Sequence, residues 1–393
     1  MVKKIAVITA TRAEYGLLSP VIRELRKYEG KTFSVSLVVT GTHLIEAYGK
    51  TIDEIKNDGF RIDDIIKIPV LSLSPLDISH NQAVTLMKFT KLFIRRQFDA
   101  VMLLGDRYET LAIAVAAVNT RTPVFHLFGG DVTEGAIDDC IRHSITKMSY
   151  LHFVSNEESK KRVIQLGEEP CRVFNYGSTS IDNMMKKANM DKTEVLESIG
   201  LADCTYALCT YHPVTLSDKS IEGQMENFLA AIRDIPDIKF IVTKSNADQG
   251  GAQINEILDR EEVQIPNLYV YCSLGTRKYL SLMKHAEFVL GNSSSGILET
   301  PGFGIPTVNI GDRQKGRLRA ANVIDCRDDA ESIVSAVQKA RSEYFKVICR
   351  QTENPYGKGN ASKLIAKKCI EVIEKEIDIM KKFYNLPVIC EER

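Results

Sequence analysis

Short apolar runs rich in β-branched residues alternate along the chain with longer amphipathic stretches. This alternation is typical of a parallel β-sheet between layers of helices, because each buried strand is followed by a helix that covers the sheet. In the first half of the chain the apolar runs predict strands over Ile5–Thr9, Ser34–Thr40, Ala100–Leu104, Pro123–Leu127 and Leu151–Val154. A polar or glycine-containing turn follows each of these runs.

The same pattern begins again after residue 178. Further strands are predicted over Tyr206–Thr210, Lys239–Thr243, Leu268–Val270, Phe288–Leu290 and Thr307–Ile310. The segment around residues 182–201 indicates helix and connection rather than strand. The repetition predicts two domains of the same architecture, with a boundary near residue 180.

The length of 393 residues also favours two domains, because single hydrophobic cores rarely grow to that size. We predict two Rossmann-like, doubly wound α/β domains over residues 1–178 and 179–364. A helix predicted over 365–385 either closes the second domain or, as we expect, crosses back onto the first. Such sheets bind ligands beyond the carboxyl ends of their strands, so the active site is expected in the cleft between the domains.

The composition argues against several classes of function. The 51 basic side chains balance the 51 acidic ones, which disfavours a nucleic-acid partner. The nine cysteines are scattered without the spacing of a metal site, and we expect reduced thiols, no metal and a cytoplasmic location. The first residues contain no apolar run long enough for a signal or membrane segment. No G-x-G-x-x-G motif is present, so no dinucleotide cofactor is predicted.

The strongest local signal lies in residues 288–296, where an apolar strand leads into small polar residues that begin a short helix. Their backbone N–H groups and hydroxyls would bind a diphosphate, helped by the positive end of the helix dipole. The alternative is that the serines only cap the helix, as they do in many α/β proteins. The predicted ligands in this turn are Asn292, Ser293, Ser294 and Ser295.

Two neighbouring features favour the diphosphate interpretation. Glu299 lies one turn beyond Ser295 on the predicted helix and is placed to accept hydrogen bonds from ribose hydroxyls; the helix is expected to end at Pro301. After the next strand, residues 311–317 form a basic loop in which Arg313 is a candidate phosphate ligand.

In the first domain, charged residues follow two predicted strands. Asp106 and Arg107 come directly after Ala100–Leu104, where a carboxylate would act as an acid or base beside a cation that stabilises charge. A structural ion pair between them is the alternative. Arg12 follows the first strand and is either a phosphate ligand or an ordinary surface arginine.

The loop after Pro123–Leu127 is rich in acids behind a Gly-Gly turn. Asp131, Glu134 and Asp138, with the adjacent Asp139, predict a catalytic loop that enters a helix, although acids also favour any helix start electrostatically. His126, which precedes the loop, is interpreted as a buried structural histidine.

Two other histidines follow strands that point toward the expected cleft. His43 is a catalytic candidate, and His212 would face phosphate electrostatically.

Taken together, several blocks in the same order resemble the hydrolysing UDP-N-acetylglucosamine 2-epimerases of bacterial sialic-acid synthesis and the epimerase domain of the animal bifunctional epimerase/kinase. The blocks are residues 11–16, 41–43, 105–109, 141–147, 212–213, 291–296 and 311–317. The resemblance implies a glycosyltransferase-B architecture, UDP bound mainly by the second domain, and a homodimer or homotetramer.

The resemblance also implies roles for individual residues. The nucleotide diphosphate would be bound by Arg12, His212, Ser293, Ser294, Glu299 and Arg313. The sugar would be surrounded by Asp106, Arg107, His43, Asp138 and the neighbouring loop acids. In the family's reaction, a base removes the C2 proton as UDP leaves C1, and the resulting 2-acetamidoglucal adds water to give N-acetylmannosamine. No cofactor takes part.

The chain departs from the family at Phe128, where many members have glutamate or histidine before the Gly-Gly turn. Phenylalanine cannot transfer protons, so Asp131 or Glu134 would substitute, or the site would accept a less polar sugar. The nearest rival substrate is therefore the UDP- or GDP-linked 2,4-diacetamido-2,4,6-trideoxy sugar of legionaminic-acid synthesis. Three further functional hypotheses stay open at this point: a glycosyltransferase, a non-catalytic nucleotide-sugar sensor and a non-hydrolysing epimerase.

Overall fold

The computed structural model describes residues 2–46, 50–70, 74–132, 138–213, 220–245 and 251–387. The chain folds into two compact units, one formed by residues 1–183 and 356–393 and the other by residues 184–355. Each unit has a parallel sheet covered by helices. This confirms the prediction of two doubly wound α/β domains. None of the described helices is long and apolar enough to cross a membrane.

The sheet of the first unit is parallel throughout, with the strand order β3-β2-β1-β4-β5-β6-β7. Its strands are β1 (Lys3–Thr9), β2 (Phe33–Thr40), β3 (Asp64–Ile66), β4 (Ala100–Leu104), β5 (Val124–Leu127), β6 (Leu151–Val154) and β7 (Val173–Asn175). The strand order changes direction between β1 and β4, and such a switch point is where doubly wound sheets bind ligands.

Helices cover both faces of this sheet, and successive residues of β1 alternate between two cores. Ile5 and Val7 pack into one core, whereas Ala6 and Ile8 pack into the other. The helices are α1 (Arg12–Arg26), α2 (Ile52–Asn57), α3 (Pro75–Arg96), α4 (Tyr108–Asn119), α5 (Asp138–Met148), α6 (Glu157–Gln165) and α7 (Thr179–Lys187).

The second unit has a parallel sheet in the order β10-β9-β8-β11-β12-β13, with its switch point between β8 and β11. Its strands are β8 (Tyr206–Thr210), β9 (Lys239–Thr243), β10 (Leu268–Tyr271), β11 (Phe288–Gly291), β12 (Thr307–Ile310) and β13 (Val323–Cys326). Its helices are α8 (Lys192–Glu197), α9 (Ile221–Arg233), α10 (Gly251–Glu262), α11 (Gly275–His285), α12 (Ser295–Leu298), α13 (Thr300–Phe303), α14 (Ala330–Arg341) and α15 (Glu343–Gln351).

The last helix, α16 (Ala361–Glu374), belongs to the first unit. Its buried residues Ile365, Cys369 and Ile373 pack into the same core as β1. Asp182 caps its start by accepting hydrogen bonds from the backbone N–H groups of residues 361 (3.0 Å) and 362 (2.7 Å). The helix ends at Glu374, so the prediction of a helix to residue 385 was too long; residues 375–387 have no regular secondary structure.

Candidate active site

One buried arginine joins two carboxylates at the carboxyl edge of the first sheet. Arg142 lies in the first turns of α5, and its side chain is only 5% exposed. Its Nε and Nη2 both donate to Oδ2 of Asp106, the former at 2.8 Å, and its Nη1 donates to Oδ1 of Asp139 at 2.6 Å. Nη1 also donates to the backbone oxygen of Asp131 at 2.7 Å. The guanidinium therefore fixes the orientation of the Asp106 carboxylate and links it to the loop after β5.

Asp106 keeps one carboxylate oxygen for other partners. Its side chain is 26% exposed, and Oδ1 accepts no hydrogen bond from any residue that the structure describes. A carboxylate that is held on one side and open on the other suits proton transfer to a ligand. The acid that shares its arginine is Asp139; Asp138, which we predicted as catalytic, is the preceding residue of α5, and its assignment stays a prediction.

The remaining predicted acids of the loop are placed differently. Asp131 is tied to the turn after β6, because its Oδ1 accepts hydrogen bonds from the hydroxyls of Ser155 (3.0 Å) and Ser159 (2.5 Å). Its assignment as a proton-transfer group stays a prediction, and these contacts give the side chain a structural part. Glu134 lies outside the described residues.

His126 supports the turn that carries Asp106. The ring is fully buried, and its Nε2 lies 2.8 Å from the carbonyl oxygen of Gly105, which can only accept a hydrogen bond. Nε2 therefore carries the proton. Nδ1 accepts a hydrogen bond from the hydroxyl of Thr146, with 3.3 Å between the two atoms. Burial lowers the pKa of His126 to about 3, which keeps the ring neutral. This is the buried structural histidine that the sequence predicts.

His43 is also buried, and its assignment as a catalytic residue stays a prediction. It lies in the turn after β2 with no exposed surface. Nε2 is 2.9 Å from the hydroxyl of Thr9 and Nδ1 is 2.7 Å from that of Thr51, so both ring nitrogens are occupied. Burial lowers the pKa of His43 to about 4. A neutral ring with both nitrogens bound links two loops, and this geometry does not favour direct catalysis.

The two predicted cations of the first unit lie on neighbouring loops at its switch point. Arg12 begins α1, is 67% exposed and pairs with Glu54 at 3.3 Å. Arg107 precedes α4, is 42% exposed, and donates from Nε to Glu109 at 2.6 Å. Because β1 and β4 are hydrogen-bonded neighbours, both side chains emerge at the same edge of the sheet.

In the second unit, Asn292 joins the two strands at the switch point. Its side chain is fully buried; Oδ1 accepts from the backbone N–H of His212 at 2.7 Å, and Nδ2 donates to the carbonyl of His212 at 2.8 Å. Its own carbonyl accepts from Gln314 (2.8 Å) and Arg313 (3.2 Å). These contacts give the buried amide a part in fixing the loops, and its direct binding of UDP stays a prediction.

The serine turn begins at a glycine and leads into a helix that is shorter than expected. Gly291 has a φ of 139°, and a Cβ there would lie 2.1 Å from the carbonyl of Thr210, so only glycine fits. The helix that follows, α12, has a single turn and is succeeded by α13, in which Pro301 occupies an N-terminal position. The prediction of one helix ending at Pro301 was wrong. The helix dipole is correspondingly small, so the partly buried hydroxyls would supply more of any phosphate binding.

The hydroxyls of this turn form a connected group. Oγ of Ser293 lies 3.1 Å from Oγ of Ser295, which is 2.7 Å from the hydroxyl of Tyr279. Ser294 precedes α12. These partners hold the serine side chains in defined orientations beside the exposed Arg313.

Glu299 and His212 are the two remaining residues that we predicted to bind the nucleotide. Glu299 is half-buried between α12 and α13, and its carboxyl has no hydrogen-bond partner among the described residues. Burial raises its pKa to about 7. The ring of His212 is half-buried, with Nδ1 3.1 Å from the hydroxyl of Ser245.

Two parallel-sheet α/β units with polar residues at their switch points define the glycosyltransferase-B-like architecture, as predicted. Residues 24–370 match the family model of UDP-N-acetylglucosamine 2-epimerase, and the chain belongs to this family.

Comparisons with individual proteins agree with the family match. The chain is 40% identical to a GDP/UDP-N,N'-diacetylbacillosamine 2-epimerase (hydrolyzing) from Campylobacter jejuni, over 98% of this chain and 99% of the other. It is 38% identical to polysialic acid biosynthesis protein P7 from Escherichia coli, over 98% of both. The crystal structure of UDP-GlcNAc 2-epimerase from Neisseria meningitidis bound to UDP-GlcNAc has the same fold, with a TM-score of 0.76, 20% identity and coverage of 94% of this chain and 100% of that one.

Proposed function

We propose that the chain is a hydrolysing 2-epimerase that converts UDP-N-acetylglucosamine and water into N-acetylmannosamine and UDP. The observation that carries this proposal is the pair Asp106 and Asp139 on the single buried Arg142, in a chain of the 2-epimerase family. Inversion at C2 needs one group that removes a proton and another that supplies one, and two carboxylates at one edge of the sheet provide them.

The first step is an elimination. A carboxylate takes the proton from C2 while the bond between C1 and the phosphate oxygen breaks, and that electron pair leaves with UDP. The C2–H electron pair forms the C1=C2 double bond of 2-acetamidoglucal. Cationic groups lower the barrier by stabilising the departing diphosphate, and Arg107 and Arg12 are the candidates in the first unit.

The second step is hydration. The oxygen of water bonds to C1 and loses a proton, while C2 receives a proton on the face opposite to the one that was lost. The product is the free sugar with inverted C2. We assign the proton transfers to Asp106, whose Oδ1 is open, and to an acid of the following segment, among which Asp139 shares Arg142 with Asp106.

The nucleotide is assigned to the second unit. The serine turn at 293–295, His212 and Arg313 would bind the diphosphate, and Glu299 would bind the ribose hydroxyls. The connected hydroxyl group and the unpartnered Glu299 carboxyl support this assignment. No step needs a cofactor.

A second candidate substrate is a UDP- or GDP-linked 2,4-diacetamido-2,4,6-trideoxy sugar. Two observations favour it: the 40% identity with the diacetylbacillosamine 2-epimerase of Campylobacter jejuni, and the apolar Phe128 at the end of β5. The elimination and hydration steps would be the same, since both sugars carry an acetamido group at C2.

Purified protein offered both nucleotide sugars separately in D2O would identify the substrate by NMR. We expect UDP and free N-acetylmannosamine with one deuterium at C2. Faster release from the trideoxy sugar would transfer the assignment to the second candidate. A nucleotide-linked product would indicate epimerisation without hydrolysis, retention of the C2 proton would indicate a transferase or simple hydrolase, and no release from either would contradict the proposal.

We further propose that the enzyme works in the cytoplasm as a homodimer or homotetramer. The family membership supports both points. Sedimentation of the full chain would measure its mass, and a monomer at the concentration of the activity assay would contradict the assembly.

A further inference from the structure

Arg107 is anchored on one edge and open on the other. Its Nε donates to Oε1 of Glu109 at 2.6 Å, and its guanidinium carbon lies 5.9 Å from the ring centroid of Tyr108. Its two terminal nitrogens donate to no residue that the structure describes. A guanidinium has five N–H donors in one plane, so four donors remain available on a side chain that is 42% exposed.

The anchor is a buried carboxylate. Glu109 lies in the first turn of α4 with its side chain only 3% exposed, and Oε2 is buried without a hydrogen-bond partner. Burying an ion pair gives little net stability, because desolvation offsets the attraction between the charges. A buried acid that binds one edge of an arginine does, however, restrict the orientation of the guanidinium.

A second acid belongs to the same group. Glu14 is 7% exposed; its Oε2 accepts hydrogen bonds from the backbone N–H groups of Ala10 (2.7 Å) and Thr11 (3.2 Å), while Oε1 is buried and unpartnered. Glu14 interacts electrostatically with both Glu109 and Arg107. Burial raises its pKa to about 7. The carboxyls thus connect the loops after β1 and β4, the neighbouring strands at the switch point.

We infer that Glu109 is a positioning residue for substrate binding: by holding Nε of Arg107, it directs the two terminal nitrogens toward phosphate oxygens of the nucleotide sugar. Arginine suits this contact because two parallel N–H donors match two oxygens of one phosphate. The inference rests on the proposed function, since it takes the nucleotide diphosphate as the anion. Glu109 itself does not touch the substrate.

The test compares UDP with uridine, which lacks phosphate, by calorimetric titration of the full chain. Glu109→Gln keeps an oxygen that can accept from Nε but removes the charge, and we expect it to weaken UDP binding by about tenfold, because hydrogen bonds to charged groups are about twice as strong as neutral ones. The affinity for uridine should not change. Arg107→Met should weaken UDP binding further, and adding Glu109→Gln to Arg107→Met should have no additional effect.

A matched control separates positioning from a general loss of an ion pair. Glu261 in the second unit is similarly buried and pairs with Arg233 at 2.5 Å, and Glu261→Gln should leave the ratio of UDP to uridine affinity unchanged. The inference is overturned if Glu109→Gln binds UDP like the wild type, if its loss persists in the Arg107→Met background, or if the wild type does not bind UDP. A wild type that binds UDP with the expected Glu109 dependence but processes neither nucleotide sugar would contradict the proposed function alone.

Discussion

We expect the Glu299 carboxyl to make the affinity for UDP depend on pH near neutrality. This side chain is half-buried without a hydrogen-bond partner among the described residues, and burial raises its pKa to about 7. The proposed ligand, the ribose diol, donates two hydrogen bonds, and these are stronger to the ionised carboxylate than to the neutral acid. Binding therefore favours the deprotonated form, and UDP affinity should rise as the pH increases through 7.

The size of the effect follows from the ionised fraction. With a pKa of about 7, roughly 9% of Glu299 is ionised at pH 6 and roughly 91% at pH 8. If only the ionised form binds the diol, the apparent dissociation constant scales inversely with that fraction, and UDP should bind about tenfold more tightly at pH 8. This corresponds to about 1.4 kcal/mol.

The phosphate of UDP also titrates in this range, so the assay must cancel its contribution. We would measure dissociation constants by calorimetry for UDP and for 2',3'-dideoxy-UDP, which has the same diphosphate but no diol. The ratio of the two constants reports the diol alone. It should change about tenfold between pH 6 and pH 8 in the wild type. In Glu299→Gln, whose amide does not titrate, the ratio should be constant.

Two results would refute this reasoning. A pH-independent ratio in the wild type would show that Glu299 is already ionised at pH 6 or does not bind the ribose. The same pH dependence in Glu299→Gln would assign the titration to another group.

Three further changes test other parts of the structure. The pKa of Glu14 is about 7 in the folded chain against 4.5 for the free side chain, so the contribution of Glu14 to stability declines as the pH rises through this interval. Urea titrations should therefore show that the free energy of unfolding of Glu14→Gln gains roughly 2 kcal/mol over that of the wild type between pH 5 and pH 8. No gain would mean that the pKa of Glu14 is lower. Asp106→Asn should abolish turnover and nearly retain the affinity for UDP. Unchanged turnover would show that Asp106 is not a catalytic residue. Lys381→Met removes an ammonium 2.6 Å from buried Glu168, so thermal unfolding should show a loss of about 2 kcal/mol; an unchanged melting temperature would contradict this.

The sequence pattern predicted most strands of the fold, and the misses have a common cause. β3, β7 and β13 have three or four residues each and lie at the edges of the sheets, where polar residues such as Asp64 and Asn175 interrupt the apolar run. A buried central strand needs apolar residues on both faces, whereas an edge strand does not. Periodicity therefore detects the central strands that place the loops and overlooks three of the four edge strands; the fourth, β10, was predicted.

The sequence could predict the candidate site residues that directly follow strands. It could not predict those that are defined by pairing with residues distant in the sequence. Asp106 and the serine turn follow apolar strands, so their position could be read directly. Arg142 was overlooked because nothing near it in sequence shows that it pairs with a residue 36 positions earlier. The pairing of Asp139 was not predicted for a related reason: consecutive helical residues point in directions about 100° apart, and only the long-range partner shows that Asp139 binds Arg142.

Phe128 affects which acids of the loop are available for proton transfer. Its φ of 64° lies in the left-handed region, which is strained for a phenylalanine by about 1 kcal/mol or more, and its ring is partly packed against the core of the first unit. The strain belongs to the backbone turn, so the turn itself does not require an aromatic residue. Phenylalanine has no titratable group, and we propose that the second proton transfer falls to the acids that follow the Gly-Gly turn. Among those that the structure describes, Asp139 shares Arg142 with Asp106, whereas Asp131 is held by serines. We therefore propose that the apolar ring and the arginine-linked pair are two parts of one arrangement, in which an acid of α5 carries out the second proton transfer and the surface at residue 128 suits a less polar sugar.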